Sequence, residues 1–315
     1  MKAVVRSLTV EADEILSVEL VACDGDKLPA FTAGAHIDLH LAPGLSRSYS
    51  LVNPQQDRER YVVAVNKDPS SRGGSRYVHE ALRPGQVIEI SEPRNNFALV
   101  EDAPHVVLVA GGIGVTPLWC MVQRLESLGR SWQLHYSARN RRKCAYLRQV
   151  EALGQAHPGR VQLRFDDENG GVPMDLAALI RTIPVEAHVY CCGPVPMLKA
   201  FEQATATRAP QTVHVEYFSA KNAAAVDGGY QVVLARSGVS FAITPGRTIL
   251  EVLLEGGIDV PHSCTQGVCG ACETRVIEGT PDHRDAVLSP QEIAAGKTMM
   301  ICCSGAKTPT LVLEL

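Results

Sequence analysis

Pro261-His-Ser-Cys264-Thr-Gln-Gly-Val-Cys269-Gly-Ala-Cys272-Glu-Thr274, answered near the end by Met300-Ile-Cys302-Cys303-Ser-Gly305, decides how the rest of the chain is read. Three cysteines spaced C-x4-C-x2-C, with a fourth well downstream, is the plant-type ligand spacing for a 2Fe–2S cluster. Two irons bridged by sulfide need four thiolates, and the resulting anion needs backbone N–H groups turned towards its sulfurs. Gly267 and Gly270 carry no Cβ and let the loop curl tightly enough to aim those groups. A zinc knuckle is the competing reading, but zinc sites usually answer one C-x2-4-C pair with another. Here the partner is a single Cys-Cys step. Cys302 and Cys303 both stand where the fourth ligand is needed, and adjacent residues point apart, so only one can serve.

Working outward, 315 residues suit two or three domains with their own cores, and 45% hydrophobic and 20% charged residues suit a globular chain. The net charge of −4 divides into −4 over residues 1–103, +3 over 104–227 and −3 over 228–315. A positive middle third suits an anionic ligand, and a negative last third suits docking to a basic partner patch. No basic run with interleaved aromatics suggests nucleic acid, and no apolar stretch reaches membrane-spanning length. The first residues lack the apolar core of a signal peptide, and the ten cysteines are not spaced as a disulfide framework. A cytoplasmic protein, free of nucleic acid and membrane, is therefore expected.

Residues 1–103 alternate in short strands, among them 37–41, 48–52, 61–65 and 86–90, separated by turns such as Pro43-Gly44 and Pro84-Gly85. That pattern predicts a small antiparallel β-barrel with one short helix over 75–82. Two pieces stand out within it: Arg47-Ser48-Tyr49-Ser50 on a strand, and Arg72-Gly73-Gly74-Ser75 running into the helix. A glycine turn leading into a helix suits a phosphate, and arginine adds paired donors.

Residues 104–219 alternate strand and helix, which predicts a parallel α/β sheet binding its ligand at the carboxyl ends of the strands. The segment opens on Val106-Val-Leu-Val-Ala-Gly111-Gly112-Ile-Gly114-Val-Thr116-Pro117 and later carries Cys191-Cys192-Gly193-Pro194. The glycines do not form Gly-x-Gly-x-x-Gly, so a tight strand–helix turn and a nucleotide cradle both remain open. Strand alternation turns Cys191 and Cys192 to opposite faces. The strand 134–137 ends in Ala138-Arg139-Asn-Arg141-Arg142-Lys143 with no acidic residue to accept a ribose hydroxyl. That run suits either a 2′-phosphate or a solvated surface. Residues 220–228 read as a tether. Residues 229–315 show a hairpin, a helix over 248–255 and the cysteine loop, the order of an α+β β-grasp ferredoxin domain.

Taken together, these motifs resemble the phthalate dioxygenase reductase family, flavin reductases of the ferredoxin–NADP reductase superfamily with a plant-type ferredoxin domain last. The resemblance spans the whole chain. It implies that Arg47 contacts the flavin phosphate, that Tyr49 packs on the isoalloxazine ring, and that Ser50 hydrogen-bonds near its reactive nitrogen, with Ser48 on the same strand. It implies that Arg72, Gly73, Gly74 and Ser75 hold the phosphate, of FMN rather than FAD. Gly111, Gly112, Gly114 and Thr116 would line the nicotinamide pyrophosphate, with Cys192, Gly193 and Pro194 beside the nicotinamide. Ser50 and Cys192 would then stand at the reacting atoms. Phe218 falls where relatives place an aromatic against the flavin, a core aromatic being the alternative. Cys302 would join Cys264, Cys269 and Cys272 as cluster ligand. The family prefers NADH to NADPH. A monomer passing electrons from NADH through FMN and 2Fe–2S to the Rieske centre of a separate oxygenase or O-demethylase is the expected function. A cytochrome P450 or a carnitine-type amine monooxygenase is the alternative acceptor, and a redox sensor the alternative class. No cysteine begins Cys-x-His, so the Rieske cluster itself belongs elsewhere.

Overall fold

In the computed structural model, which describes all of residues 1–315, the chain opens on a long hairpin. Strand β1 (Lys2–Ala12) pairs antiparallel with β2 (Ile15–Ala22) across the turn Asp13-Glu14. β3 (His36–Ala42), β4 (Leu45–Ser50), β5 (Tyr61–Asn66), helix α1 (Gly74–Glu80) and β6 (Val87–Ile90) follow. The six strands order as β4-β3-β6-β1-β2-β5. Just past β4, Leu51 bridges Val63 of β5, which closes the sheet on itself. The barrel read from the alternating pattern is present. Its interior is filled by the inward residues of each strand, including Val5, Val18, Ile37 and Val63, all fully buried.

A second sheet follows in strict alternation: β7 (Val106–Gly111), α2 (Val115–Ser127), β8 (Trp132–Ala138), α3 (Leu147–Ala156), β9 (Val161–Phe165), α4 (Leu176–Thr182), β10 (His188–Cys192), α5 (Val195–Ala204) and β11 (Val213–Glu216). All its strands are parallel, in the order β11-β10-β7-β8-β9. β7 is buried along its whole length, as a central parallel strand covered on both faces must be. Barrel and parallel sheet share one continuous core, and Met1–Glu216 forms a single compact unit.

Tyr217–Leu315 forms the second unit. It contains β12 (Tyr230–Leu234), β13 (Ser240–Ile243), α6 (Ile249–Glu255), β14 (Glu273–Glu278), β15 (Pro281–Asp282), α7 (Pro290–Ala295), β16 (Thr298–Met300), β17 (Gly305–Ala306) and β18 (Thr310–Leu313). Its main sheet orders as β13-β12-β18-β14-β16. α6 begins on a reciprocal capping box between Thr248 and Glu251, which fixes where the helix starts. Its apolar face, Ile249, Leu250 and Leu253, is buried in the core of this unit. Residues 220–228 are hydrogen-bonded within the unit, with Ala225 N–H donating to Cys303 O at 2.8 Å.

Candidate functional site

The barrel brings together the two arginine-bearing stretches, 25 residues apart in sequence. From β4, the Arg47 guanidinium donates to Arg72 O at 2.7 Å and to Ser46 O at 2.7 Å. Its stem lies across Gly74, where an added Cβ would come within 2.4 Å of Arg47 Cγ. Glycine at the start of α1 is what lets the arginine pass. Ser75 Oγ accepts from Asp68 N–H at 3.1 Å and closes the same turn. No side chain caps α1, whose N-cap is Gly73. An arginine beside an uncapped glycine turn fits a phosphate. Ser48 Oγ donates to Asp38 Oδ1 at 2.5 Å, and Asp38 is held in turn by Arg94 at 2.6 Å. Burial pushes the Tyr49 hydroxyl up to about 12, so it stays protonated. Ser50 ends the strand, buried.

β7 and β10 are neighbours, with Ala110 opposite Cys192, so their two glycine turns meet at the carboxyl edge of the sheet. The contact is too close for any side chain. A Cβ on Gly114 would lie 2.2 Å from Cys192 O, and one on Gly111 would lie 3.2 Å from Gly193 Cα. Gly112, at φ 54, has open space beside it. α2 starts from Gly114 with no side-chain cap, and its Val115 N–H donates to Gly112 O and Ile113 O. The Thr116 hydroxyl donates to Ile113 O at 3.0 Å and steadies the turn. Pro194 is the N-cap of α5. The arrangement fits a pyrophosphate, with the glycines also required by the packing of turn on turn.

Cys191 and Cys192 face opposite ways, as alternation requires: Glu202 of α5 acts on the first, Glu216 of β11 on the second. Cys192 Sγ lies 4.0 Å from Glu216 Oε2. Burial, then the Glu216 charge, holds the Cys192 thiol far above the ordinary range, which makes it no nucleophile. Burial pushes the Glu216 carboxyl up to about 8. Sequence reading missed Glu216, although it closes the strand just before Phe218. Phe218 is 41% exposed, so it is no core aromatic. Sequence reading also found no acid near the end of β8. The fold supplies one from just past β9, where Asp166 Oδ1 lies 3.5 Å from Ser137 Oγ.

In the second unit, Cys264, Cys269, Cys272, Cys302 and Cys303 are all buried. The Cys264 thiol meets those of Cys269 and Cys302. Gln266 N–H donates to Cys264 Sγ at 3.3 Å, and the amides of Val268 and Ala271 donate to the Cys264 and Cys269 thiols. Thr265, Gly267 and Gly270 take φ of 54, 69 and 76, which coils the loop so that these amides face inward. Ile301 N–H reaches Cys272 O at 3.5 Å, which seats Cys272 against the residue before Cys302. Cys303 Sγ sits over Gly267, with Met300 O at 3.7 Å and Ser304 Oγ at 3.9 Å, and also meets the Cys302 thiol, so the adjacent cysteines do not point wholly apart as expected. Soft thiols ringed by amide donors are the donor set an iron–sulfur cluster needs.

Residues 108–203 match the oxidoreductase NAD-binding domain, and residues 232–307 the 2Fe-2S iron-sulfur cluster binding domain. The solved phthalate dioxygenase reductase, described as modular for electron transfer from pyridine nucleotides to [2Fe-2S], is 37% identical. The match covers 100% of this chain and 98% of that one, with a TM-score of 0.75. This chain belongs to the phthalate dioxygenase reductase family. Within and around that family, phenoxybenzoate dioxygenase subunit beta of Ectopseudomonas oleovorans is 55% identical, over 99% of this chain and 96% of the relative. Tetrachlorobenzoquinone reductase of Sphingobium chlorophenolicum is 51% identical, over 99% and 97%. An intact type IV self-sufficient cytochrome P450 monooxygenase contains a portion 40% identical, with a TM-score of 0.89; this chain spans 41% of that longer one. The antiparallel barrel, the parallel sheet and the ferredoxin-like unit described above are thus shared with the solved phthalate dioxygenase reductase. No helix of the chain is long and apolar enough to cross a membrane.

Proposed function

We propose that the chain is the NADH-dependent reductase of a multicomponent aromatic-ring oxygenase or O-demethylase, delivering electrons through FMN and a 2Fe–2S cluster to the oxygenase's Rieske centre. It would act as a cytoplasmic monomer in aromatic catabolism. The observation that carries this reading is the meeting of the Cys264, Cys269 and Cys302 thiols in an amide-lined loop, in a chain that also holds the paired glycine turns. Cys272 completes the ligand set, and Cys303 is left outside it.

FMN, when bound, converts a two-electron hydride donor into a source of single electrons. The residues act by placing and shielding. Arg47 and the turn 72–75 hold the phosphate, Tyr49 covers the ring as a neutral phenol, and Ser50 offers a hydroxyl to its reactive edge. Gly111, Gly112, Gly114 and Thr116 seat the pyrophosphate, while Gly193 and Pro194 bound the nicotinamide. Cys192, held as a thiol, presents a small neutral group there, and Glu216 behind it holds a proton at neutral pH. Phe218, near the start of the second unit, keeps an exposed aromatic face. Asp166 accepts the adenosine ribose hydroxyl, which favours NADH.

The reading is tested with the purified holoprotein. Cys264→Ser is expected to spare NADH-dependent ferricyanide reduction and to lower cytochrome c reduction more than about tenfold. Equal loss of both would contradict the order of transfer. A second reading, direct reduction of a quinone, is favoured by the 51% identity to tetrachlorobenzoquinone reductase. It predicts that quinone reduction survives Cys264→Ser.

A further inference from the structure

The run from Arg139 to Lys143 follows β8 at the carboxyl edge of the parallel sheet, the edge where such sheets bind dinucleotides. A cationic run there would ordinarily welcome a 2′-phosphate. Its cations are engaged from another quarter. Arg142 Nε lies 2.9 Å from Asp13 Oδ2, and Lys143 Nζ lies 2.5 Å from Glu14 Oε2. Asp13 and Glu14 are the turn between β1 and β2, on the barrel. Arg141 is taken by Glu151 at 3.0 Å and Glu168 at 2.6 Å. Arg139 alone of the four cations has no acidic partner.

Exposed ion pairs are weak and would yield to a dianion if nothing else held them. Here the backbone is fixed first. Asp13 N–H donates to Arg142 O at 2.7 Å, and Lys67 N–H donates to Glu14 O at 2.7 Å. The Asn140 side chain accepts from Lys143 N–H at 3.0 Å. Just beyond, Tyr146 and Ser17 of β2 share a buried hydroxyl hydrogen bond of 2.8 Å. Each of the two apposed segments also holds a non-glycine residue in the left-handed region, Glu14 at φ 63 and Tyr146 at φ 58. Such conformations persist where the surroundings over-determine them. The loop after β8 is therefore seated on the barrel hairpin, and three of its four cations lie beside carboxylates.

We propose that Asp13 and Glu14 are specificity determinants of the nucleotide site: by holding Arg142 and Lys143 against the barrel, they deny a 2′-phosphate its cations and so select NADH over NADPH. A phosphate arriving there meets two carboxylates as well as two occupied cations, which is discrimination by repulsion. The inference rests on residues 104–219 being the nucleotide-binding segment.

The test uses the holoprotein carrying Asp13→Asn and Glu14→Gly; glycine suits the left-handed turn, and Glu14→Gly alone serves as a second variant. Affinities for 2′,5′-ADP and 5′-AMP are measured by calorimetry, and KM for NADPH and NADH by ferricyanide reduction. The affinity for 2′,5′-ADP should rise about fivefold or more, the worth of one exposed ion pair, with 5′-AMP within about twofold. The ratio of KM for NADPH to KM for NADH should fall by the same factor. Adding Arg142→Met and Lys143→Met should cancel the gain. Unchanged 2′,5′-ADP affinity, or a gain that survives loss of both cations, overturns the proposal. A parent protein that binds neither nucleotide overturns the reading of the segment instead.

Discussion

Cys192 Sγ and Glu216 Oε2 lie 4.0 Å apart across the two strands β10 and β11, a thiol and a carboxyl both driven to their neutral forms by burial. With the Glu216 carboxyl pushed up to about 8, the pair is uncharged at pH 7 and gains a negative charge above pH 8. In the proposed site a buried carboxylate here would draw in water and loosen the seat of the nicotinamide, although it would favour the cationic ring left by hydride loss. Stopped-flow reduction by NADH should therefore fall about threefold or more between pH 7 and 9, and Glu216→Gln should flatten that limb. A limb that persists in Glu216→Gln would assign it to another group.

Gly114 touches the Cys192 carbonyl so closely that Gly114→Ala must push two turns apart, since its Cβ would lie 2.2 Å from that oxygen. Backbone cannot swing aside as a side chain can. Overpacking of this kind costs about 1–3 kcal/mol. Thermal unfolding should report that loss, and KM for NADH should rise about tenfold as the cradle opens.

The two vicinal cysteines should separate cleanly. Cys302→Ser removes a thiol that meets Cys264 and should lose the cluster, whereas Cys303→Ser alters a group seated over Gly267 and should keep it. Iron content and visible absorption of the purified variants decide the matter. Cluster loss in Cys303→Ser with retention in Cys302→Ser would exchange the two roles.

His214 lies stacked 4.1 Å from the Tyr190 ring and shares a 3.0 Å hydrogen bond with His188. Burial, then the neighbouring His188, lowers its pKa from 6.5 to about 4. The unfolded chain therefore binds a proton that the folded chain refuses, and stability falls as pH drops from 6.5 towards 4, by up to about 1 kcal/mol per pH unit. Glu216 runs the other way, its raised carboxyl favouring the folded state at low pH and losing that advantage as pH rises through 8. Urea unfolding of the parent and His214→Phe, compared at pH 5 and pH 7, isolates the histidine. The difference between the two proteins should shrink or reverse at the lower pH.

The features legible in the sequence were those whose chemistry is local. Three of the four expected cluster ligands sit within nine residues of one loop, and glycine turns announce themselves wherever a strand must stop and a helix start. Alternation in residues 1–103 gave the barrel, and β7 read as a buried parallel strand from its unbroken apolar run. What stayed hidden depends on which strands become neighbours. Arg47 meets the Arg72 carbonyl only because β4 lies beside the turn into α1. Glu216 acquires meaning only when β11 joins β10, and Asp166 only when β9 joins β8. The basic run after β8 looked available because Asp13 and Glu14, more than a hundred residues earlier, are invisible partners until the barrel closes.

β18 lies at the centre of its sheet, parallel to β12 on one side and antiparallel to β14 on the other. During synthesis the cysteine loop therefore emerges before the strand that completes its support. Until Thr310–Leu313 slots in, β12 has only β13 beside it, and β14 lacks the neighbour that joins it to them. The thiols would wait, reduced and unassembled, in a half-built sheet. Loading of iron and sulfide thus belongs after this strand has docked, and a cell short of either would accumulate chains competent for nucleotide but without an outlet for electrons.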